Sequence, residues 1–105
     1  MTRTDIKLAK KFKSLVSKKL QILDIKVFGS RARGDATIES DLDIFLVISG
    51  LDRLKEKYID ECAWEVGFPE DVVILPIAID ATKLKSTPIR ESIFIKNVYR
   101  EGMSV

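Results

Sequence analysis

The stretch FGSRARGDATIESDLD at residues 28–43 ends in Asp41 and Asp43 and runs straight into the apolar segment Ile44-Phe45-Leu46-Val47-Ile48. An ordinary surface loop does not end that way. Side chains alternate across a strand, so a strand over residues 41–48 sets both carboxylates on one face, with Cα atoms about 6.5 to 7 Å apart. Left bare, two such charges repel and one pKa rises. A divalent cation between them offsets the repulsion and draws in further oxygen ligands. Magnesium suits this hard, all-oxygen set and completes its octahedron with water and phosphate oxygens.

The other end of the stretch reads as a phosphate turn. Ile22 to Phe28 is a β-branched and aromatic run ended by Gly29-Ser30, as expected of a strand with a tight exit. Glycine lets the backbone approach a ligand closely, and the turn can offer its amides and the Ser30 hydroxyl to phosphate oxygens. Arg31 and Arg33 add fixed positive charge of the kind that holds phosphate bidentately. Two better-known phosphate loops are excluded. Gly29 and Gly34 match half of a Walker A loop, but Asp35 stands where Lys is required. A dinucleotide fingerprint would need a third glycine at different spacing. Taken singly, each half also has a plain structural reading: a turn, solvated arginines and a strand cap.

At 105 residues the chain fits one domain over 1–105, and 46% apolar with 32% charged residues is a globular composition. No apolar run reaches membrane-spanning length. The N-terminus, MTRTDIKLAKKFK, is too polar for a signal peptide, and the single Cys62 cannot form an internal disulfide, so a cytoplasmic setting is expected. Histidine is absent. That removes Ser-His and Cys-His machinery, His-ligated zinc and imidazole acid/base chemistry. Any catalysis rests on carboxylates, hydroxyls, backbone amides, Lys, Arg and metal. Net charge is only +2, and the lysines cluster in the first segment with no interleaved aromatics, which favours a solvated helix face over a nucleic-acid patch.

Hydrophobic periodicity gives the order α-β-loop-β-α-β-α. Leu8, Phe12, Leu15 and Val16 form one stripe of an amphipathic helix over residues 5–20. Leu54, Tyr58, Cys62 and Val66 mark a second helix over 51–66, with Gly67 as its cap and with Cys62 and Trp64 as packing residues. Asp71 to Ile79 is a third strand, whose Pro76 argues for an edge position or a bulge. Thr87-Pro88 opens a closing helix with Ile89, Ile93, Phe94 and Val98 on its apolar face.

Gly29-Ser30, ten intervening residues and Asp41-x-Asp43, within GSRARG...SDLDIFLV, resemble the signature of the DNA polymerase β-like nucleotidyltransferase superfamily, most closely its minimal nucleotidyltransferases. The resemblance implies an α/β (α+β) fold: a small mixed sheet of three to four strands packed by helices. It implies Mg²⁺-dependent transfer of a nucleoside monophosphate from ATP or another NTP, with two Mg²⁺ ions. By residue match, Gly29 and Ser30 hold the β/γ-phosphates, Arg31 and Arg33 supply charge near the triphosphate, and Asp41 and Asp43 ligate metal. A third catalytic acid is expected on a later strand, and Asp71, opening the DVVI run, is the best candidate, ahead of Glu70, which would face the opposite way, and Asp80 at the far end of the run; its plain structural reading is a turn or strand-start residue. Small members of this kind pair with a helical protein of the HEPN type, often as the antitoxin of a toxin–antitoxin module, and some transfer AMP to that partner. The alternative is a degenerate nucleotide-binding antitoxin that acts by contact only. Exposed apolar surface on the closing helix or on the Pro76 strand is where such a partner is expected to dock.

Overall fold

Thr2 and Asp5 start the first helix by capping each other: Asp5 N–H donates to Thr2 Oγ1 at 3.1 Å and Thr2 N–H to Asp5 Oδ2 at 3.2 Å. This reciprocal box satisfies two of the amides that every helix N-terminus leaves over. Helix α1, Arg3–Ser17, then buries Leu8, Ala9, Phe12 and Val16. The computed structural model describes residues 1–37 and 39–105; Ile38, inside the motif stretch, lies outside the described residues. Strand β1, Ile22–Phe28, leads into a five-residue helix α2, Gly29–Arg33, and strand β2 spans Leu42–Ile48. Helix α3, Arg53–Gly67, is capped by the Asp52 carboxylate, which accepts from Lys55 N–H at 2.9 Å. A 3₁₀ turn at Phe68–Glu70 precedes β3, Ile74–Asp80. The chain continues through α4, Ala81–Ser86, a second 3₁₀ turn at Pro88–Glu91, α5, Ile93–Glu101, and β4, Met103–Ser104.

The strands form one mixed sheet in the order β3-β2-β1-β4. β1 and β2 are antiparallel, with Phe28 opposite Asp43; β2 and β3 are parallel, with Asp43 beside Leu75; β4 lies antiparallel on the outer edge of β1. This is the helix-packed mixed sheet expected from the sequence. β2 is central because it is apolar on both faces. Leu42, Ile44, Leu46 and Ile48 face α1 and α3, packing with Phe12, Val16, Ile59 and Cys62. Phe45 and Val47 face the other way, under Ile95 and Val98 of α5. Each such buried side chain contributes about 1.5–3 kcal/mol relative to exposure. Because α5 roofs the middle of that second face, the open amino-terminal end of β2 carries Asp41 and Asp43 beyond the roof.

Pro76 sits on the edge strand, as its missing donor requires. Leu42 N–H donates to the Val73 carbonyl at 2.8 Å. In a parallel ladder alternate residues turn toward the neighbouring strand. Val73 and Leu75 therefore bond β2, while Pro76 faces the open edge and costs no ladder bond.

Several local readings are corrected. The α3 stripe at steps of four advances about 40° each time. Leu54 thus rolls out of the buried arc, which Ile59, Cys62 and Ala63 occupy, and is 78% exposed. Trp64 is on the outer side and stacks on Phe68, ring centroids 4.9 Å apart, instead of packing in the core. Gly67 is the last helical residue, not a left-handed cap; a Cβ there would meet the Val72 carbonyl. The closing helix breaks at Ser92, whose side chain caps α5, leaving Ile93 79% exposed while Ile95 is buried.

Candidate active site

Strand β1 delivers Phe28 opposite Asp43, and the chain then turns at Gly29 with φ 76°. Two conditions select glycine there. The left-handed backbone disfavours any Cβ, and a Cβ would collide with Asp43 Oδ2. The Asp43 carboxylate therefore lies directly against the turn that opens α2. Asp41, two residues earlier on the same face, is exposed. Burial pushes the Asp43 pKa up, and the Asp41 charge pushes it further, while Arg33 opposes both. This is the signature of a carboxylate pair that a cation would relieve.

α2 has no side-chain cap at its start, and the Ser30 carbonyl accepts from Gly34 N–H at 3.0 Å and Asp35 N–H at 3.1 Å. The two arginines diverge. Arg33 is half exposed, with Nε 3.3 Å from Asp35 Oδ2 and Nη1 3.8 Å from Glu101 Oε2. Arg31 is engaged by Asp5 at 2.6 Å and by the Ser40 carbonyl. Neither Asp5 nor Ser40 was read from the sequence as part of the site. The only signal was the Thr2-x-x-Asp5 spacing, which announces a cap and nothing about Arg31.

Asp71 is not on β3. It leaves the 3₁₀ turn in a left-handed conformation with φ 56°, three residues before the strand begins at Ile74. There it borders a groove shared with Asp60, Trp64 and Phe68. On the face of Asp43, β3 presents Leu75, which is 44% exposed, and Val73, just before the strand, is 63% exposed. Among the described residues no three carboxylates or thiols gather into a metal-binding group. Asp41 and Asp43 are thus a fit for one hard divalent ion, Mg²⁺ or a like cation.

A tight glycine turn laid against a carboxylate pair, at the end of a helix-packed mixed sheet, is an arrangement suited to nucleotidyl transfer. The comparisons agree, and the chain belongs to the nucleotidyltransferase domain family, whose model matches residues 6–99. The polymerase β-like likeness read from GSRARG and SDLD is borne out, and the chain is a nucleotidyltransferase. It is 38% identical over 103 residues, 95% of this chain and 97% of the relative, to MJ0141 of Methanocaldococcus jannaschii, named as a candidate protein adenylyltransferase. Among solved structures, a toxin–antitoxin complex with AMP-PNP matches at TM-score 0.59 and 22% identity, over 91% of this chain and 70% of that one. A toxin–antitoxin MntA–HpeT double Asp-to-Glu mutant matches at TM-score 0.57 and 20% identity, over 95% and 70%. A candidate nucleotidyltransferase from Sulfolobus solfataricus matches at TM-score 0.56 and 21% identity, over 99% and 87%. These three structures share the fold. No helix of the described residues is long and apolar enough to cross a membrane.

Proposed function

We propose that the protein transfers AMP from ATP, in a Mg²⁺-dependent reaction, to a hydroxyl on a small helical protein partner of the HEPN type, as the antitoxin half of a toxin–antitoxin pair. The observation that carries the chemistry is the Asp43 carboxylate against Gly29, with Asp41 two residues earlier close enough for its charge to raise the Asp43 pKa. In this reading Gly29 and Ser30 bind the β/γ-phosphates through amides and the hydroxyl, and Arg33 faces the charge that builds on the leaving pyrophosphate. Asp41 and Asp43 would hold the ion as carboxylate ligands. When bound, Mg²⁺ polarises the phosphoryl group and neutralises developing negative charge. The acceptor oxygen forms the new bond to the α-phosphorus as the bond to the bridging oxygen breaks; pyrophosphate leaves and the hydroxyl proton passes to solvent. Support for adenylyl transfer to a protein comes from the named activity of the M. jannaschii relative and from the toxin–antitoxin neighbours.

The test is co-expression with the neighbouring gene, incubation of the complex with ATP and Mg²⁺, and intact-mass measurement. AMP added to the partner, and lost in Asp41→Asn with Asp43→Asn, is the expected result. A bound partner that gains no mass contradicts the transfer. The apolar Val73 and Leu75 beside the acid pair favour a second reading, neutralisation by contact alone. In that case cells stay protected with Asp41, Asp43 and Asp71 all replaced by Asn.

A further inference from the structure

Arg31 lies between the phosphate turn and the acid pair in sequence, yet its side chain is only 10% exposed and its partner Asp5 is 3% exposed. Its Nη1 donates to Asp5 Oδ1 at 2.6 Å, and its Nε and Nη2 donate to the Ser40 carbonyl at 2.9 and 2.6 Å. Ser40 is the residue immediately before Asp41. Asp5 is itself held from behind, its other oxygen accepting from Thr2 N–H. The capped start of α1, the guanidinium and the peptide leading into β2 thus form one connected, mostly buried hydrogen-bond chain.

Burying an ion pair rarely stabilises a fold on balance, because desolvation cancels much of the attraction. What a planar fork gives is direction: two parallel donors to one carbonyl and a third to a carboxylate fix that carbonyl in space, as a lysine's single ammonium cannot. We propose that Arg31 is a positioning residue that clamps the Ser40 peptide and thereby sets the Asp41 carboxylate relative to Asp43, and that it does not itself hold phosphate. Asp5, on a different helix, belongs to the same device. Arg33, 46% exposed, is left as the arginine of GSRAR that meets the nucleotide. The proposal rests on Asp41 and Asp43 being the metal pair.

The test uses two readouts on the purified chain. Mn²⁺ binding, followed by the EPR signal of the free ion, reports the acid pair. ATP affinity in the presence of a chelator reports the phosphate contacts alone. Arg31→Lys and Asp5→Asn should each weaken Mn²⁺ binding by about 10–100-fold, the usual cost of freeing a metal ligand from its support. Their metal-free ATP affinity should match that of the wild type. Arg33→Ala should show the opposite pattern. Thr2→Ala, which breaks the cap and leaves the Arg31–Asp5 pair, should lower the melting temperature and keep Mn²⁺ affinity, separating positioning from general loss of stability. If Arg31→Lys and Asp5→Asn bind Mn²⁺ as the wild type does while Asp41→Asn does not, the clamp is wrong and the metal pair stands. Weakened metal-free ATP binding in Arg31→Lys with intact Mn²⁺ binding makes Arg31 a phosphate ligand, which also overturns the clamp. If Asp41→Asn binds Mn²⁺ normally, the metal pair itself is misassigned and the clamp falls with it.

Discussion

Gly29 and Gly34 make a matched pair for testing the site, because both hold a positive φ, 76° and 85°, but only one has a neighbour where a Cβ would stand. Alanine at either position incurs left-handed strain of about 1–2 kcal/mol. For a domain of this size each kcal/mol lowers the melting temperature by about 4–8 °C. At Gly34 none of the described residues lies within 4 Å of the added carbon, so among them strain is the whole effect. At Gly29 the methyl must displace the Asp43 carboxylate, because it runs into Oδ2. The side chain is flexible, so leaving its rotamer well adds only about 0.5–1.5 kcal/mol to the stability loss. The larger consequence is functional: a ligand swung away from its partner should cost at least the roughly 10–100-fold seen when a ligand's support is removed. Thermal melts should therefore show a drop of about 4–16 °C for Gly34→Ala and a further drop of about 2–12 °C for Gly29→Ala. Calorimetry of Mg²⁺-dependent ATP binding should separate them, with Gly34→Ala close to wild type and Gly29→Ala at least tenfold weaker. Equal losses of binding would refute the contact between the turn and Asp43 as the organising feature of the site.

Other outcomes follow from the same coordinates. Asp43 has a raised pKa from burial and from Asp41, so its contribution to stability is present below the ordinary carboxylate value of about 3.9 and is lost as pH rises through its folded value. Asp43→Asn should accordingly raise the melting temperature of the metal-free protein at neutral pH while removing metal-dependent ATP binding. Asp80 is shifted the other way, chiefly by the Leu51 N–H that donates to it at 2.8 Å, so its stabilisation is present above about pH 3.9 and lost as pH falls. Asp80→Asn should melt lower than wild type at pH 7, and the two curves should converge in acid. Phe12→Ala, from a fully buried position, should cost about 3–5 kcal/mol by chemical denaturation. Trp64→Ser, on the 68% exposed α3 position, should stay within about 1 kcal/mol.

Two of the strands were legible from composition. Ile22–Phe28 and the run after Asp41 were placed to within a residue, because β-branched and aromatic side chains crowd there and glycine punctuates the exit. Helix faces were less so. Steps of four look regular in a sequence and drift around a real helix, which is why Leu54 was counted in and Ile59 and Ala63 were left out. The short elements were not legible at all. α2, α4 and β4 span five, six and two residues, lengths at which local pattern carries little signal and tertiary contacts decide. β4 exists because Met103 and Ser104 find the free edge of β1, an event far from them in sequence.

The site divides along the same line. Asp41 and Asp43 could be paired from sequence because they stand two residues apart at the mouth of β2, and alternation relates their faces without knowledge of any other element. Asp71 could not be placed that way, since its role required both the register and the start of β3. The run DVVILP begins two residues after Pro69, and the left-handed turn that Asp71 makes delays the strand to Ile74. Once β3 starts there, parallel pairing of Asp43 with Leu75 decides which residues share the carboxylates' face, and they are apolar. Arg31 shows the complementary limit. Its charge was visible and its direction was not, because direction depends on Asp5, 26 residues earlier on another helix. A motif thus identifies which residue types converge on the nucleotide, while the tertiary register decides which of them touch it and which hold the others in place.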